Sequence, residues 1–304
     1  ESDTLKYPTT FILRPLLENE IKSGINKTDL MCVVTTQHSI SETQLSFFKE
    51  IKTKIPEEIN SFVDQMHDYL HDYAIRTIEI FLWMRGRFSH EPIRYFRGYQ
   101  FSFDQESWRT FPDQIHLGLS YITTAIDTTI PDSFIPTVIQ LVKSGQTVPL
   151  AHSLFAEAWK QSSDHPRSSL VIAIAAAETA FKHCVGELLP ETQRPSWYIN
   201  NKQSPPLKKL LIELLPTFHA KAKIGGKVLP PPPSIMEALA NGIKLRNRIV
   251  HGQALPVRHE MLNETLNAIR DIIFLMDFYC GFTWAEKYIS HSTKQELRKL
   301  ISNK

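Results

Sequence analysis

The segment from Ser169 to Pro190, SLVIAIAAAETAFKHCVGELLP, is apolar on nearly every side of a helix. A helix without a continuous polar face needs other elements to cover it, so it belongs inside a protein rather than on its surface. The longest uninterrupted apolar run, Leu170 to Ala177, is far shorter than the roughly 20 residues that cross a bilayer. We therefore predict an inner helix of a bundle.

Helical spacing of apolar residues marks three further segments in the same half of the chain. These begin near Leu150, Ser234 and His259. Ser234 and Glu237 form the pattern of a capping box, which predicts that the third of the four helices begins at Ser234. Gly252 predicts where that helix ends. Four helices with one long loop among them predict a four-helix bundle over residues 146–304.

Residues 1–145 have a different pattern. The stretch RTIEIFLWMR, Arg76 to Arg85, alternates between two rows of side chains, like a strand covered on both faces. A second β-rich stretch, FRGYQFSF, follows at Phe96 to Phe103. We predict an α/β domain with a small sheet here and a domain boundary at residues 144–146. The predicted fold class of the whole chain is α+β, with this domain preceding an all-α bundle.

The cysteines and the first residues indicate a cellular compartment. Cys32, Cys184 and Cys280 are widely separated and have no CxxC spacing. An odd number of cysteines cannot all pair, which favours a reducing compartment and argues against a zinc site. The opening ESDTLKYPTT lacks the basic and apolar regions of a signal peptide. We expect a cytoplasmic protein that does not associate with a membrane.

The formal net charge of +2 conceals a difference between the two halves of the chain. Residues 150–304 contain 20 Lys and Arg against 13 Asp and Glu, whereas residues 1–149 contain 14 against 19. A cationic half is the better candidate for binding an anion. Anion binding is therefore predicted for the C-terminal half.

The third bundle helix ends in LRNRIVHG, which concentrates polar residues after an apolar run. At about 100° per residue, Arg246 falls within the apolar arc of the helix, and Asn247 and His251 share an adjacent polar edge. A buried guanidinium requires a partner because an unpaired buried charge is costly. Glu178 is the candidate partner, since it lies on an apolar stripe of the inner helix.

Two interpretations of these residues stay open on geometry alone. Arg246 and Glu178 can be a structural ion pair, with His251 at a helix C-terminus, where the helix dipole favours a cation. They can also belong to a functional site, because structural ion-pair networks and active sites share these features. The helical projection that places Arg246 within the apolar arc also places Val250 on the apolar side of the same helix.

In its helical context, the pattern Arg246-Asn247-x-x-x-His251 resembles the signature of the HEPN domains, named for higher eukaryotes and prokaryotes nucleotide-binding. That signature is an Arg, commonly followed by a polar residue, and then a His after four to six intervening residues. The likeness covers about residues 148–290 and includes the Ala-Ala-Glu-Thr-Ala stretch around Glu178. It does not extend to residues 1–145.

Many proteins of that family are metal-independent ribonucleases that act as dimers, with two motifs facing each other. The resemblance implies that His251 transfers protons, that Arg246 stabilises charge on the phosphate, and that Asn247 orients the imidazole or binds phosphate. These roles suit RNA cleavage by the 2′-hydroxyl, and they call for no metal and no cofactor. The candidate supporting residues are Glu178, Lys244 and Arg248.

A lysine-rich segment between residues 202 and 227 contains six lysines and the single acid Glu213. A cationic segment can contact phosphates without regard to base sequence. The candidate RNA-binding residues are Lys208, Lys209, Lys221 and Lys223. A solvated loop explains the same composition equally well.

In the first half, His67 and His71 are four residues apart, but without a third ligand a solvated helix face is the simpler explanation.

The leading functional hypothesis is an endoribonuclease that acts on RNA as a homodimer in a prokaryotic defence or toxin-like system. Under this hypothesis, residues 1–145 either sense a trigger or select the substrate. The trigger is a regulatory protein or a nucleic acid. This role is assigned by analogy with the family. One alternative is a catalytically silent HEPN module that binds RNA or a nucleotide. The other is a dimerising scaffold or partner protein. The complete set of Arg246, Asn247 and His251 favours the enzyme.

Overall fold

The computed structural model describes residues 9–15, 30–37, 39–50, 56–86, 100–102, 109–110, 121–122, 134–199, 205–253 and 255–302. The chain divides into two compact units. The N-terminal unit contains residues 1–81 and 90–147, and the C-terminal unit contains residues 82–89 and 148–304. A short segment of the first half therefore belongs to the C-terminal unit.

The described part of the N-terminal unit contains two seven-residue strands and three strands of two residues each. Strand β1 (Thr9–Pro15) pairs along its length with β2 (Leu30–Thr36). Strand β3 (Gln100–Phe101) pairs with β4 (Arg109–Thr110), and β5 (Tyr121–Ile122) pairs with the start of β2. All of these pairings are antiparallel, unlike the parallel strands that helical crossovers produce in an α/β domain.

Three helices belong wholly or mainly to the N-terminal unit. They are α1 (Glu42–Glu50), α2 (Glu57–Met84) and α3 (Phe134–Lys143). Helix α1 begins with a reciprocal cap, in which Ser41 N donates to Gln44 Oε1 and Gln44 N donates to Ser41 Oγ. Helix α2 is 28 residues long, and its last residues, 82–84, lie in the C-terminal unit.

The predicted α/β domain is wrong, because the described residues are mostly helical and residues 76–84, predicted as a strand of its sheet, form a helix. Residues 76–84 form the end of α2. A nearly continuous apolar run fits a covered strand and a buried helix equally well. Because a helical pattern already precedes this run, extending the helix requires no new nucleation. Of the second predicted β-rich stretch, residues 96–103, the structure describes only 100–102, and Gln100–Phe101 of these form β3.

Four helices form a bundle in the C-terminal unit. They are α4 (Leu150–Lys160), α5 (Pro166–Leu188), α8 (Pro233–Val250) and α9 (His259–Tyr279). Helix α5 packs against the other three, and α9 also contacts α4 and α8. Leu170, Ile174 and Phe181 of α5 are fully buried. The prediction that α5 is an inner helix is therefore confirmed.

Helix α5 is also long and apolar enough to cross a membrane, judged by length and composition alone. In the apolar 18-residue stretch of α5 on which this judgement rests, 56% of the residues are buried inside the structure. The core helix of a soluble protein has the same composition. More than half of that stretch of α5 is therefore covered by other parts of the structure.

The start of α8 differs from the predicted capping box. The helix begins at Pro233, and no side chain caps it. Proline is favoured in the first turn because its fixed φ suits a helix and its missing N–H would have no intrahelical partner there. Ser234 Oγ instead donates to Glu296 Oε1 at 2.7 Å. The predicted reciprocal cap between Ser234 and Glu237 is wrong.

Shorter helices complete the C-terminal unit. They are α6 (Ser196–Ile199), α7 (Leu207–Lys209), which continues through π-helical and 3-10 turns to Thr217, and α10 (His291–Ser302), which follows a 3-10 turn at Thr283–Tyr288. Buried Asp271 of α9 accepts hydrogen bonds from Thr293 Oγ1 at 2.7 Å and Ser290 N at 3.2 Å. These bonds attach the start of α10 to α9.

Candidate functional site

The packing of α8 against α5 brings Arg246 and Glu178 together. Arg246 Nη2 donates to Glu178 Oε1 at 2.8 Å. The side chain of Arg246 is 25% exposed and that of Glu178 is 40% exposed. The predicted pairing is confirmed, although the pair lies closer to solvent than a fully buried charge does.

Arg246 keeps hydrogen-bonding capacity beyond this contact. A guanidinium group has several N–H donors in a planar fork, and among the described residues Glu178 is the hydrogen-bonding partner of this side chain. Leu245 and Ile249 on the same helix pack against the bundle core. The guanidinium is therefore held by Glu178 while donors remain for an anion.

The end of α8 is a Schellman motif around His251. His251 is the C-cap residue. Gly252 N donates to Ile249 O, and Gln253 N donates to Arg248 O, each at 3.0 Å. These are the two hydrogen bonds of that motif, which needs a left-handed residue after the cap. Gly252 supplies it with φ +86°.

The other polar side chains of the motif are exposed. Asn247 and His251 are both exposed, and neither side chain forms a hydrogen bond with a described residue. Lys244 and Arg248 are exposed as well. In the single chain, Asn247 therefore does not orient the imidazole of His251 through a hydrogen bond.

Val250 departs from the predicted pattern. Helical projection places it on the apolar side, yet 58% of the residue is exposed. It is the last residue of α8. A projection gives the direction of a side chain, but it does not tell whether a neighbouring helix extends far enough to cover it. An apolar side chain is therefore exposed directly beside His251.

The candidate RNA-binding lysine Lys221 lies far from the motif. Its Nζ donates to Glu187 Oε2, and its backbone N donates to Tyr279 O, each at 2.9 Å. Tyr279 ends α9, whereas His251 precedes its start. Helix α9 has 21 residues, which span about 30 Å at about 1.5 Å per residue. Lys221 therefore does not flank the motif.

The other candidate lysines, Lys208, Lys209 and Lys223, are exposed. Lys209 Nζ lies 3.8 Å from Glu213 Oε2 in a solvent-exposed pair, and such pairs contribute little stability. Lys208 and Lys223 form no ion pair with a described residue. These two side chains are free to contact another molecule.

A buried polar cluster occurs elsewhere in the C-terminal unit, and no sequence motif signals it. Asp277 Oδ2 lies 2.9 Å from Trp83 Nε1, which donates to it, and 2.7 Å from His152 Nε2. The exposed fractions of Trp83, His152 and Asp277 are 3%, 5% and 3%. The cluster joins the end of α2 to α4 and α9. Its burial makes it a structural connection rather than a site that meets a substrate.

The buried thiols of Cys184 and Cys280 are free. The hydrogen bond between them, followed by burial, raises the pKa of Cys184 well above its usual range. A thiol with a raised pKa is a poor nucleophile at neutral pH. Cys184 is therefore not a candidate for nucleophilic catalysis, and Cys280 is buried away from any substrate.

The His67 and His71 pair does not extend to a metal site in the part of the chain that the structure describes. Their ring centroids are 5.7 Å apart, and His67 Nδ1 lies 3.1 Å from Asp68 Oδ1. Across the described residues, no three His, Cys, Asp or Glu side chains are grouped so that they could hold a metal ion.

No protein-family model, no curated protein and no solved structure matches this chain.

Proposed function

We propose that this chain is a metal-independent endoribonuclease whose active site is assembled from two copies of the motif Arg246–His251. The observation that carries the proposal is the pairing of Arg246 with Glu178. It holds a half-buried guanidinium at the helix end where Asn247 and His251 are exposed and make no side-chain hydrogen bonds to described residues. A purely structural ion pair does not require these neighbours.

RNA cleavage without a metal requires a base, an acid and a cation. The base removes the proton of the 2′-hydroxyl, and the 2′-oxygen forms a bond to phosphorus. The bond from phosphorus to the 5′-oxygen breaks, and the acid protonates that oxygen. The products are a 2′,3′-cyclic phosphate and a 5′-hydroxyl. Imidazole suits both proton transfers near neutral pH, and guanidinium suits the charge on the phosphate oxygens.

The three motif residues take distinct roles in this reaction. Arg246 binds the non-bridging phosphate oxygens with the donors that Glu178 leaves unused. His251 transfers protons, since its side chain is accessible to a substrate. Asn247 donates its amide N–H groups to the phosphate rather than to the imidazole.

Two chains are proposed because each chain supplies one motif histidine, whereas the reaction uses an acid and a base. A twofold axis close to His251 brings a second imidazole to the same phosphate, because a twofold contact joins a surface to its own copy. Val250 is exposed beside the motif. In the proposed dimer the contact between the two chains covers this apolar side chain.

The proposed setting is the cytoplasm of a prokaryote, where the enzyme acts in a defence or toxin-like system. This part of the proposal rests on the resemblance of the motif to HEPN ribonucleases. The free thiols of Cys184 and Cys280 suit a reducing compartment. The N-terminal unit is proposed to respond to a protein or nucleic-acid trigger.

The test is a cleavage assay with labelled single-stranded RNA in excess EDTA. Products are expected to end in a 2′,3′-cyclic phosphate or the derived 3′-phosphate, and DNA of the same sequence should stay intact because it lacks the attacking hydroxyl. His251→Ala should lower the cleavage rate by at least about 100-fold. Arg246→Ala should abolish detectable cleavage. The matched controls are Arg258→Ala and His259→Ala, which change exposed residues just after the motif.

The outcomes separate the three functional classes. Cutting that persists undiminished in His251→Ala contradicts the proposed active site. Binding of RNA without cutting, in the presence of any candidate trigger, identifies a silent RNA-binding module. A chain that neither binds nor cuts RNA is better explained as a scaffold or partner protein.

A further inference from the structure

The Schellman motif around His251 is reinforced by a side-chain hydrogen bond. Arg248 Nε donates to Gln253 Oε1 at 2.8 Å, and Gln253 N donates to Arg248 O at 3.0 Å. The same two residues are therefore joined through their backbones and through their side chains. A hydrophobic contact commonly accompanies this motif, and here a polar bond bridges its ends.

These bonds restrict the backbone at His251. His251 lies between the two joined residues, and its own N donates to Asn247 O at 3.0 Å. The following residue, Gly252, has φ +86°, a backbone conformation that residues with a side chain rarely adopt. A displacement of the His251 backbone therefore breaks several hydrogen bonds of the turn together.

The chain beyond the turn is attached at a second point. Arg167 Nε donates to Leu255 O at 2.9 Å. Arg167 lies at the start of α5, the helix that also carries Glu178, the partner of Arg246. The segments that carry His251 and Arg246 are therefore both fastened to the same inner helix.

The imidazole of His251 makes no side-chain hydrogen bond to a described residue. Within the described chain, its position therefore depends on the backbone that carries it. A catalytic group contributes fully only when it is held close to the reacting atoms, and a displacement of about 1 Å can lower a rate by about 100-fold. The rigidity of the turn is thus the property that decides where the ring lies.

We propose that Gln253 and Arg248 are positioning residues for His251. Gln253 receives the Arg248 guanidinium and holds the turn closed, so that the imidazole projects from a fixed point at the end of α8. Arg248 then acts through Gln253 and does not contact the substrate. The catalytic consequence rests on the proposed function, whereas the restriction of the His251 backbone does not.

The first measurement is independent of catalysis. NMR order parameters of the backbone amides of His251 and Gly252 are recorded for the unmodified chain, Gln253→Ala and Arg248→Ala. Rigid backbone has an order parameter of about 0.85, and flexible backbone falls below about 0.6. We expect a fall toward the flexible range in both variants. Gln253→Glu should retain the rigid value because its carboxylate still accepts the bond from Arg248.

The matched control is Gln161→Ala. Gln161 is the C-cap residue of α4, and its Nε2 donates to Glu157 Oε1 at 3.1 Å. This substitution removes a comparable side-chain bond at another helix end. The order parameters at His251 and Gly252 should stay unchanged.

The second measurement is RNA cleavage. Gln253→Ala and Arg248→Ala should each lower kcat by about 10- to 100-fold, with KM unchanged within about twofold. The double variant should be no slower than the slower single variant, because both changes remove the same bond. Gln253→Glu should cleave at close to the unmodified rate, and Gln161→Ala should be unaffected.

These results separate this inference from the proposed function. If the order parameters do not change in Gln253→Ala, the positioning role is overturned whether or not the chain cuts RNA. If they fall while the unmodified chain cuts no RNA, the positioning of His251 is supported and the proposed function fails. If kcat falls in Arg248→Ala but not in Gln253→Ala, Arg248 acts on the substrate directly and the positioning role is wrong.

Discussion

Arg246 of α8 donates to Glu178 of α5 across 2.8 Å, and the carboxylate is the more exposed of the two partners. Exposed ion pairs contribute about 0.2–1 kcal/mol, whereas breaking a fully buried pair costs about 3–5 kcal/mol. This half-buried pair lies nearer the first range. Its main effect is to fix the direction of one guanidinium rather than to stabilise the whole fold.

Glu178→Ala should lower the free energy of unfolding by about 1 kcal/mol, because it removes a charge-assisted hydrogen bond that is partly screened by solvent. Glu178→Gln should cost less, since its amide oxygen still accepts from Arg246. Urea denaturation measures both. Glu237→Ala, which changes an exposed carboxylate on α8, is the control. A loss above about 3 kcal/mol in Glu178→Ala would mean that the pair behaves as fully buried.

Gly242→Ala tests how closely α8 and α9 pack. A Cβ at residue 242 would clash with the Cγ2 methyl group of Thr265. Alanine favours a helix by about 1 kcal/mol over glycine, but overpacking costs about 1–3 kcal/mol. We expect net destabilisation in urea denaturation. The double variant Gly242→Ala with Thr265→Ser should recover stability because it removes the clashing methyl group, and no recovery would contradict this explanation.

Asp277→Ala should lower the free energy of unfolding by at least about 2 kcal/mol. The substitution removes the carboxylate that Trp83 and His152 contact, and an unsatisfied buried polar group costs about 1–3 kcal/mol. Urea denaturation followed by tryptophan fluorescence measures the change. Asp164→Ala, at an exposed position, should have little effect. Equal stability of the two variants would show that the cluster does not stabilise the unit.

Glu187 links stability to pH. The hydrogen bond from Lys221 lowers the pKa of Glu187 below its usual value. The ionised Glu187 should therefore contribute fully to stability above the pKa of about 4.3 that a glutamate has in the unfolded chain. This contribution should disappear as the pH falls through the lower pKa that Glu187 has in the folded chain. Urea denaturation from pH 2 to 7 should show Glu187→Gln less stable than the unmodified chain at pH 6 by at most about 1 kcal/mol. The difference should vanish at the acid end, and a constant difference would rule out this linkage.

Val250→Asp tests the proposed dimer. A charge at this exposed apolar position should disfavour burial in a contact between two chains. Light scattering is expected to show a dimer for the unmodified chain and a monomer for the variant, with RNA cleavage lost in parallel. Ile212→Asp, at another exposed apolar residue of the C-terminal unit, should remain dimeric. A strictly monomeric unmodified chain would count against the composite site.

The helices of the bundle could be predicted from sequence because their patterns are long and periodic. Helix α5 is the clearest case, since its apolar residues leave no broad polar face and the structure buries it among three other helices. Residues 76–84 could not be assigned in the same way. Their short apolar run lacks a unique period, and the helix that precedes them decides their conformation.

Part of the candidate site could be predicted from charges that occupy apolar positions of the helical pattern. A charge at an apolar position requires a partner, so the pairing of Arg246 with Glu178 could be expected before its geometry was known. Nothing comparable signals the cluster of Trp83, His152 and Asp277, because these residues lie far apart in the chain. The bond between Arg248 and Gln253 depends on how the helix ends, which periodicity does not describe.

Helical periodicity alone indicates which segments of the bundle are helical, that α5 lies inside, and that Arg246, Asn247 and His251 occur together at one helix end. The exposure of Val250 and the position of Lys221 at the opposite end of α9 from His251 depend on how the helices pack. Periodicity gives the direction of each side chain around the axis of its own helix. What that side chain meets depends on where the neighbouring helices begin and end.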